Sequence, residues 1–187
     1  MLKDLILKNR SYRRFYQDHK ITENDLRELI GLARLAPSAK NAQPLKYILS
    51  FDESTNDRIF PTLAWAGYLT DWPGPEEGER PSAYIVILLD TEITENQYCD
   101  DGIAMQSILL GATEKGLGGC TIAAIKKDEL RKALNIPLRY EILYVLAIGK
   151  PKETVVIEEI KEGDFRYWRD EKGVHHVPKR SLDELIL

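Results

Sequence analysis

Two cysteines, three histidines and no apolar run long enough to cross a bilayer remove several kinds of protein from consideration. Cys99 and Cys120 form no Cys-x-x-Cys pair, so neither a disulfide-stapled scaffold nor a dithiol redox motif is expected, and so few thiols suit a reducing compartment. His175 and His176 are adjacent and point to opposite faces of a strand. Neither they nor Cys99, Asp100 and Asp101 have ligand spacing, so no metal is expected. There is no Gly-x-Ser-x-Gly elbow and no Gly-x-x-x-x-Gly-Lys-Ser/Thr loop, and Gly116-Leu117-Gly118-Gly119 lacks the spacing of a dinucleotide fingerprint. Lys3, Asp4 and Lys8 interrupt the first residues too early for a signal-peptide core, which predicts a cytoplasmic protein with no membrane segment.

What is present suffices for one domain over 1–187, since 43% of the residues are apolar and can fill a single core. The net charge of −4 is unevenly spread. Residues 1–20 carry Lys3, Lys8, Arg10, Arg13, Arg14 and Lys20 against Asp4 and Asp18, a surplus of four positive charges, so the remainder stands at −8. A small cationic island on an acidic chain suits a small anionic ligand, and no nucleic acid is expected as a partner.

Thr22 with Asp25 reads as a capping box opening a helix with Leu26, Leu29, Ile30 and Ala33 on one face, closed before Pro37. Strands are predicted at Tyr47–Leu49, Tyr84–Leu89, Cys120–Ile122 and Ile142–Ile148. A weaker helix is predicted over 53–66, one apolar all round over Gly102–Ala112, and another over Lys127–Leu134. The proline- and glycine-rich stretch Asp71–Pro81 reads as an exposed acidic loop. Tyr167 to Val177, with Asp170-Glu171-Lys172-Gly173 at its centre, reads as a β-hairpin within a C-terminal arm, 150–187, that packs on a second subunit.

Two polar segments flank the first of these helices. Arg10-Ser11-Tyr12-Arg13 offers guanidinium forks and a hydroxyl, which suit a phosphate. Ala36-Pro37-Ser38-Ala39-Lys40-Asn41 offers a flat apolar face with a few hydrogen-bonding groups, which suits a planar ring. Together they predict a phosphorylated, ring-bearing cofactor.

These two motifs, followed in order by Gln43-Pro44, Gly116-Leu117-Gly118-Gly119-Cys120 and Leu146-Ala147-Ile148-Gly149-Lys150-Pro151, resemble the nitroreductase family of FMN-dependent oxidoreductases. The resemblance implies an α+β fold, a central, mostly antiparallel sheet flanked by helices, in an intertwined homodimer with a C-terminal extension. It further implies that Arg10 and Ser11 meet the FMN phosphate, joined by Lys179 or Arg180, and that Arg13 sits at the pyrimidine edge of the ring. A fixed cation there stabilises the reduced cofactor. Pro37, Ser38, Ala39 and Asn41 would flank the ring bound by the partner subunit, and Ile122-Ala123-Ala124 matches the loop near flavin N5.

Four positions depart from the family pattern: Asn9 for an arginine, Leu45 for a tryptophan after Gln-Pro, and Ala123-Ala124 for a glycine pair. Trp65, Tyr68 and Trp72 are candidates for a substrate-pocket wall, with core packing as the competing role. The implied activity is electron transfer from NAD(P)H through FMN to a small electron-poor acceptor of nitroaromatic or quinone type, with no side chain required as acid or base. The rivals are another flavin reaction on the same scaffold, such as reductive dehalogenation or dehydrogenation, and a non-enzymatic FMN-binding or storage role.

Overall fold

The computed structural model describes residues 1–187 and divides the fold into a central sheet, helices on both its faces, and a small C-terminal sheet. Helix α1 (Leu2–Lys8) leads into a two-residue strand β1 (Phe15–Tyr16). Helix α2 (Glu23–Leu35) opens with the predicted box: Thr22 Oγ1 accepts from Asp25 N at 3.2 Å, and the Asp25 carboxylate accepts from Thr22 N at 3.0 Å. A 3₁₀ turn, Ala39–Asn41, then precedes β2 (Leu45–Ser50). Helix α3 (Glu53–Ile59) passes into a 3₁₀ turn containing Pro61, so the predicted helix over 53–66 stops where the imino acid removes a donor.

Strand β3 (Ala83–Asp90) is buried along its whole length. Its side chains alternate between two cores. Ile85, Ile87 and Leu89 pack with Leu26 and Leu29 of α2 and with Ala104 and Ile108 of α4 (Asp100–Glu114). Tyr84, Val86 and Leu88 pack on the other face with Ile59 of α3 and Leu130 of α5 (Lys127–Leu134). Truncating one of the central leucines to alanine costs about 2–5 kcal/mol in such a setting.

Strand β4 (Gly118–Ile122) and the long β5 (Tyr140–Pro151) complete the sheet. One edge of β5 pairs with β3, which pairs in turn with β2. Strand β4 pairs with β5 over residues 145–149, and β1 pairs with it at Lys150 and Pro151. Every ladder in this sheet is antiparallel.

Beyond β5 lie β6 (Val155–Glu159), β7 (Trp168–Arg169) and β8 (His175–Lys179). The predicted hairpin is the β7–β8 pair, with Trp168 opposite His176. Strand β6 was not anticipated. It pairs in parallel with β8, and its residues, three apolar followed by two glutamates, carry no clean alternation.

The stretch Asp71–Pro81 has no regular structure, as expected, but it is only partly exposed. Gly74 and Pro75 are buried, and Glu79 forms an ion pair with Arg14 and another, at 2.9 Å, with Lys152. Cys99 is exposed and Cys120 buried, and both thiols are free. No helix is long and apolar enough to cross a membrane.

Candidate functional site

The loop Asn9–Arg14 is held on the edge of the sheet by backbone. Ser11 forms a parallel β-bridge with Gly119, and Tyr12 N donates to Gly119 O at 3.0 Å. A methyl group at Gly119 would stand 2.7 Å from the Ala147 carbonyl oxygen, so only glycine lets β4 and β5 approach this closely, and one at Gly118 would meet the Tyr12 ring of the loop at 2.5 Å.

This approach forms a groove of two cavities. One, of about 400 Å³, is lined by Arg10, Ser11, Arg13, Gln106, Thr121, Tyr167, His175 and Lys179 among others. The other, of about 240 Å³, is lined by Arg13, Trp65, Cys120, Thr121, Ile122, Ala123, Ala124 and Tyr167 among others. Arg13, Thr121 and Tyr167 border both. The first cavity is cationic and polar; the second has small and apolar walls.

Arg10 donates through Nη2 to the Ile6 carbonyl at 2.6 Å, while its Nε is buried without a partner. Arg13 donates through Nη1 to Ser11 O at 3.3 Å and meets His175 Nε2 at 3.2 Å, with its guanidinium carbon 4.9 Å from the Tyr167 ring centre. Burial, reinforced by the charges of Arg13 and Arg169, pushes the His175 imidazole down to about 4, so the ring is neutral near pH 7. Burial pushes the Cys120 thiol up, which keeps it protonated and a poor nucleophile.

The remaining predicted residues lie elsewhere. Lys179 reaches the cationic cavity, but Arg180 does not line it and pairs with Glu184 at 3.2 Å. Trp65 lines the apolar cavity with its Nε1 buried and unpaired. Tyr68 instead packs edge-on against Tyr167 at 5.0 Å, and Trp72 lies beneath Arg169 at 4.5 Å. Pro37, Ser38, Ala39 and Asn41 line neither cavity. Their turn is held by Asp100, whose carboxylate accepts from Ser38 Oγ at 2.6 Å and from Ala39 N at 2.8 Å. Lys40, Asn41 and Gln43 all have positive φ, a concentration of backbone strain in one short exposed turn.

Two carboxylates here were not read from the sequence as anchors of these loops. Asp100 sits among ordinary N-terminal helix acids, and Glu153 looks like one more charge in a polar tail. Yet the Glu153 side chain is fully buried, accepting from the backbone N–H groups of Arg13 and Arg14 and from Arg169 Nη2 at 2.9 Å.

Solved structures share this arrangement of sheet and helices. A nitroreductase family protein from Streptococcus pneumoniae TIGR4 superposes with a TM-score of 0.70 at 17% identity, covering 100% of this chain and 99% of that one. An FMN-dependent nitroreductase from Clostridium difficile R20291 superposes with a TM-score of 0.64 at 25% identity, covering 86% and 90%. An Archaeoglobus fulgidus protein carrying the provisional name NADH dehydrogenase/NAD(P)H nitroreductase is 28% identical over 162 residues, 82% of this chain and 86% of its own. The model of the Nitroreductase family matches residues 6–71 and 80–150. The chain belongs to the nitroreductase family.

Proposed function

We propose that the groove holds FMN and that the protein is an NAD(P)H-dependent oxidoreductase acting on a small electron-poor acceptor, working in the cytoplasm as a homodimer. The observation that carries this reading is the meeting of a cationic and an apolar cavity at Arg13. The donor set fits the cofactor. Arg10, Ser11 and Lys179 can satisfy a phosphate, and the buried, unpaired Nε of Arg10 lacks the acceptor such a group would provide. Arg13 brings a positive charge to the junction, where it favours a ligand that gains negative charge. Ile122 and Ala123 leave room for a planar ring, and Trp65 closes one wall.

When bound, FMN supplies two-electron chemistry between NAD(P)H and an acceptor of nitroaromatic or quinone type. The protein orients and polarises; solvent can supply protons, so no side chain is assigned as acid or base. Pro37, Ser38, Ala39 and Asn41 are proposed to serve the partner's site. Their turn is exposed and strained and lies outside the groove of its own chain, while Leu2, Ile6, Leu7, Leu32 and Leu35 are exposed on α1 and α2 and need cover.

Anaerobic stopped-flow mixing of the FMN-loaded protein with NADH and NADPH tests the proposal. Rapid bleaching of the flavin band by either nucleotide, and its return on adding a nitroaromatic or quinone, is the expected result. A protein that remains colourless in excess FMN, or one whose flavin neither nucleotide bleaches, would overturn it.

A further inference from the structure

The family match ends at residue 150, yet side chains beyond that point close around Arg13. Glu153 accepts from the Arg13 backbone N–H, and its other oxygen is held by Arg169 at 2.9 Å. His175, on β8, places Nε2 at 3.2 Å from Arg13 Nη1. Tyr167 lies under the guanidinium at 4.9 Å, and its ring stands 5.2 Å from that of His175. Tyr167 and His175 are in turn set by the small C-terminal sheet and by Tyr68, whose backbone N–H donates to the Tyr167 hydroxyl at 3.3 Å.

Arginine presents five N–H donors in one rigid plane, so fixing one corner and one face fixes the direction of the rest. Here Nη1 is occupied by Ser11 O and His175 Nε2, and the Tyr167 ring covers one face. The guanidinium also lies beside the Cys120 thiol, while Nε and Nη2 hydrogen-bond to no nitrogen or oxygen of the chain and remain available to a ligand in the groove. An unrestrained arginine would have to surrender several rotamers on binding, whereas this one has already done so.

Resting on the FMN site proposed above, we infer that His175, Tyr167 and Glu153 are positioning residues that aim Arg13 into the groove, and that orienting this cation is the function of the C-terminal arm at the site. His175 serves as an acceptor. An Arg13 N–H donates to Nε2, which places the ring proton on Nδ1, the nitrogen buried without a partner. Glu153 fixes where the arginine begins, and His175 and Tyr167 fix where it points.

A double-mutant cycle on the FMN-loaded full chain tests this, with FMN affinity read by fluorescence titration and the midpoint potential by dye equilibration. His175→Phe keeps a ring but loses the acceptor. It should weaken FMN binding about tenfold or more and move the potential to a more negative value. His175→Gln, whose amide oxygen accepts, should retain most of both. In an Arg13→Ala background, His175→Phe should add almost nothing, because the residue acts through Arg13. Should His175→Phe not fold, Tyr167→Leu takes its place in the same cycle with the same expectation. Losses that add in full across the cycle, or a folded single variant with unchanged affinity and potential, would overturn the inference alone. An unaltered protein that takes up no FMN would overturn it together with the proposed function.

Discussion

The Ser38 hydroxyl donates to the buried Asp100 carboxylate at 2.6 Å, and this contact ties the strained turn Ala39–Asn41 to the first residue of α4. The carboxylate also takes the Ala39 N–H at 2.8 Å, leaving two consecutive residues of the loop fixed by one side chain. Removing it frees Lys40, Asn41 and Gln43 from the positive-φ conformations they hold. Asp100→Ala should therefore lower stability by about 2 kcal/mol. If the turn serves a neighbouring subunit's FMN, the same variant should bind FMN more weakly. Thermal unfolding and flavin titration of the variant check the two effects separately.

Gly119 is the point where loop and sheet come closest. A Cβ there meets backbone oxygen, which cannot rotate away, so Gly119→Ala should cost about 1–3 kcal/mol and displace Ser11 and Tyr12. Gly102→Ala is the matched control. It lies in the first turn of α4 with nothing within 4 Å of the new methyl group, and should leave stability unchanged or raise it by about 0.5–1 kcal/mol. Denaturant unfolding of both variants would read the contrast.

Acidification should expose two groups in succession. His175 has its ordinary value of 6.5 depressed to about 4, so the folded state binds fewer protons than the unfolded chain between those values. Its contribution to stability is full above about pH 6.5 and is lost as pH falls through 4. Glu79, held down to about 2 from 4.5 chiefly by its hydrogen bond to Arg14, contributes fully above about pH 4.5 and loses its effect towards pH 2. Melting temperature against pH should show both slopes, with the upper one flattened in His175→Gln. An unchanged upper slope in that variant would assign it to another group.

Arg13→Ala should weaken FMN retention and lower the flavin's reduction potential, because a fixed cation favours the reduced, more negative cofactor. Spectroelectrochemistry on the variant is the check, and an unchanged potential would place Arg13 away from the pyrimidine edge.

The central fold was legible because its signals are local. The Thr22–Asp25 box, the charge-free stretch Gly102–Ala112 of α4 and the unbroken apolar run of β3 each satisfy the physics of one element without help from distant residues. The arm was less so. A hairpin with aromatic and β-branched flanks around Asp170–Gly173 is a short-range pattern, whereas the parallel partnership of β6 with β8 depends on residues about twenty apart with no periodicity to mark them. At the site, Arg10, Ser11 and Arg13 were readable as cations and a hydroxyl seeking an anion, whereas Lys179 came only from the family resemblance, and all four line one cavity. Glu153 and Asp100 were not, since a carboxylate that anchors backbone donors looks in sequence like any solvated acid. Tyr68 and Trp72 show the converse. Aromatic residues advertise contact but not its partner, and theirs are Tyr167 and Arg169 of the arm.

Strand β5 carries β4 and β1 on successive stretches of its length, 145–149 and 150–151, so the glycine strand and the cationic loop are measured from one ruler. A slip of one residue along it would turn every side chain of β5 to the opposite face and carry both walls of the groove out of place together. The two halves of the groove therefore have no independent tolerance. Sequence drift along β5 is confined to substitutions that keep its spacing, while the loop tips, which hang from it, are free to diversify which molecules are admitted.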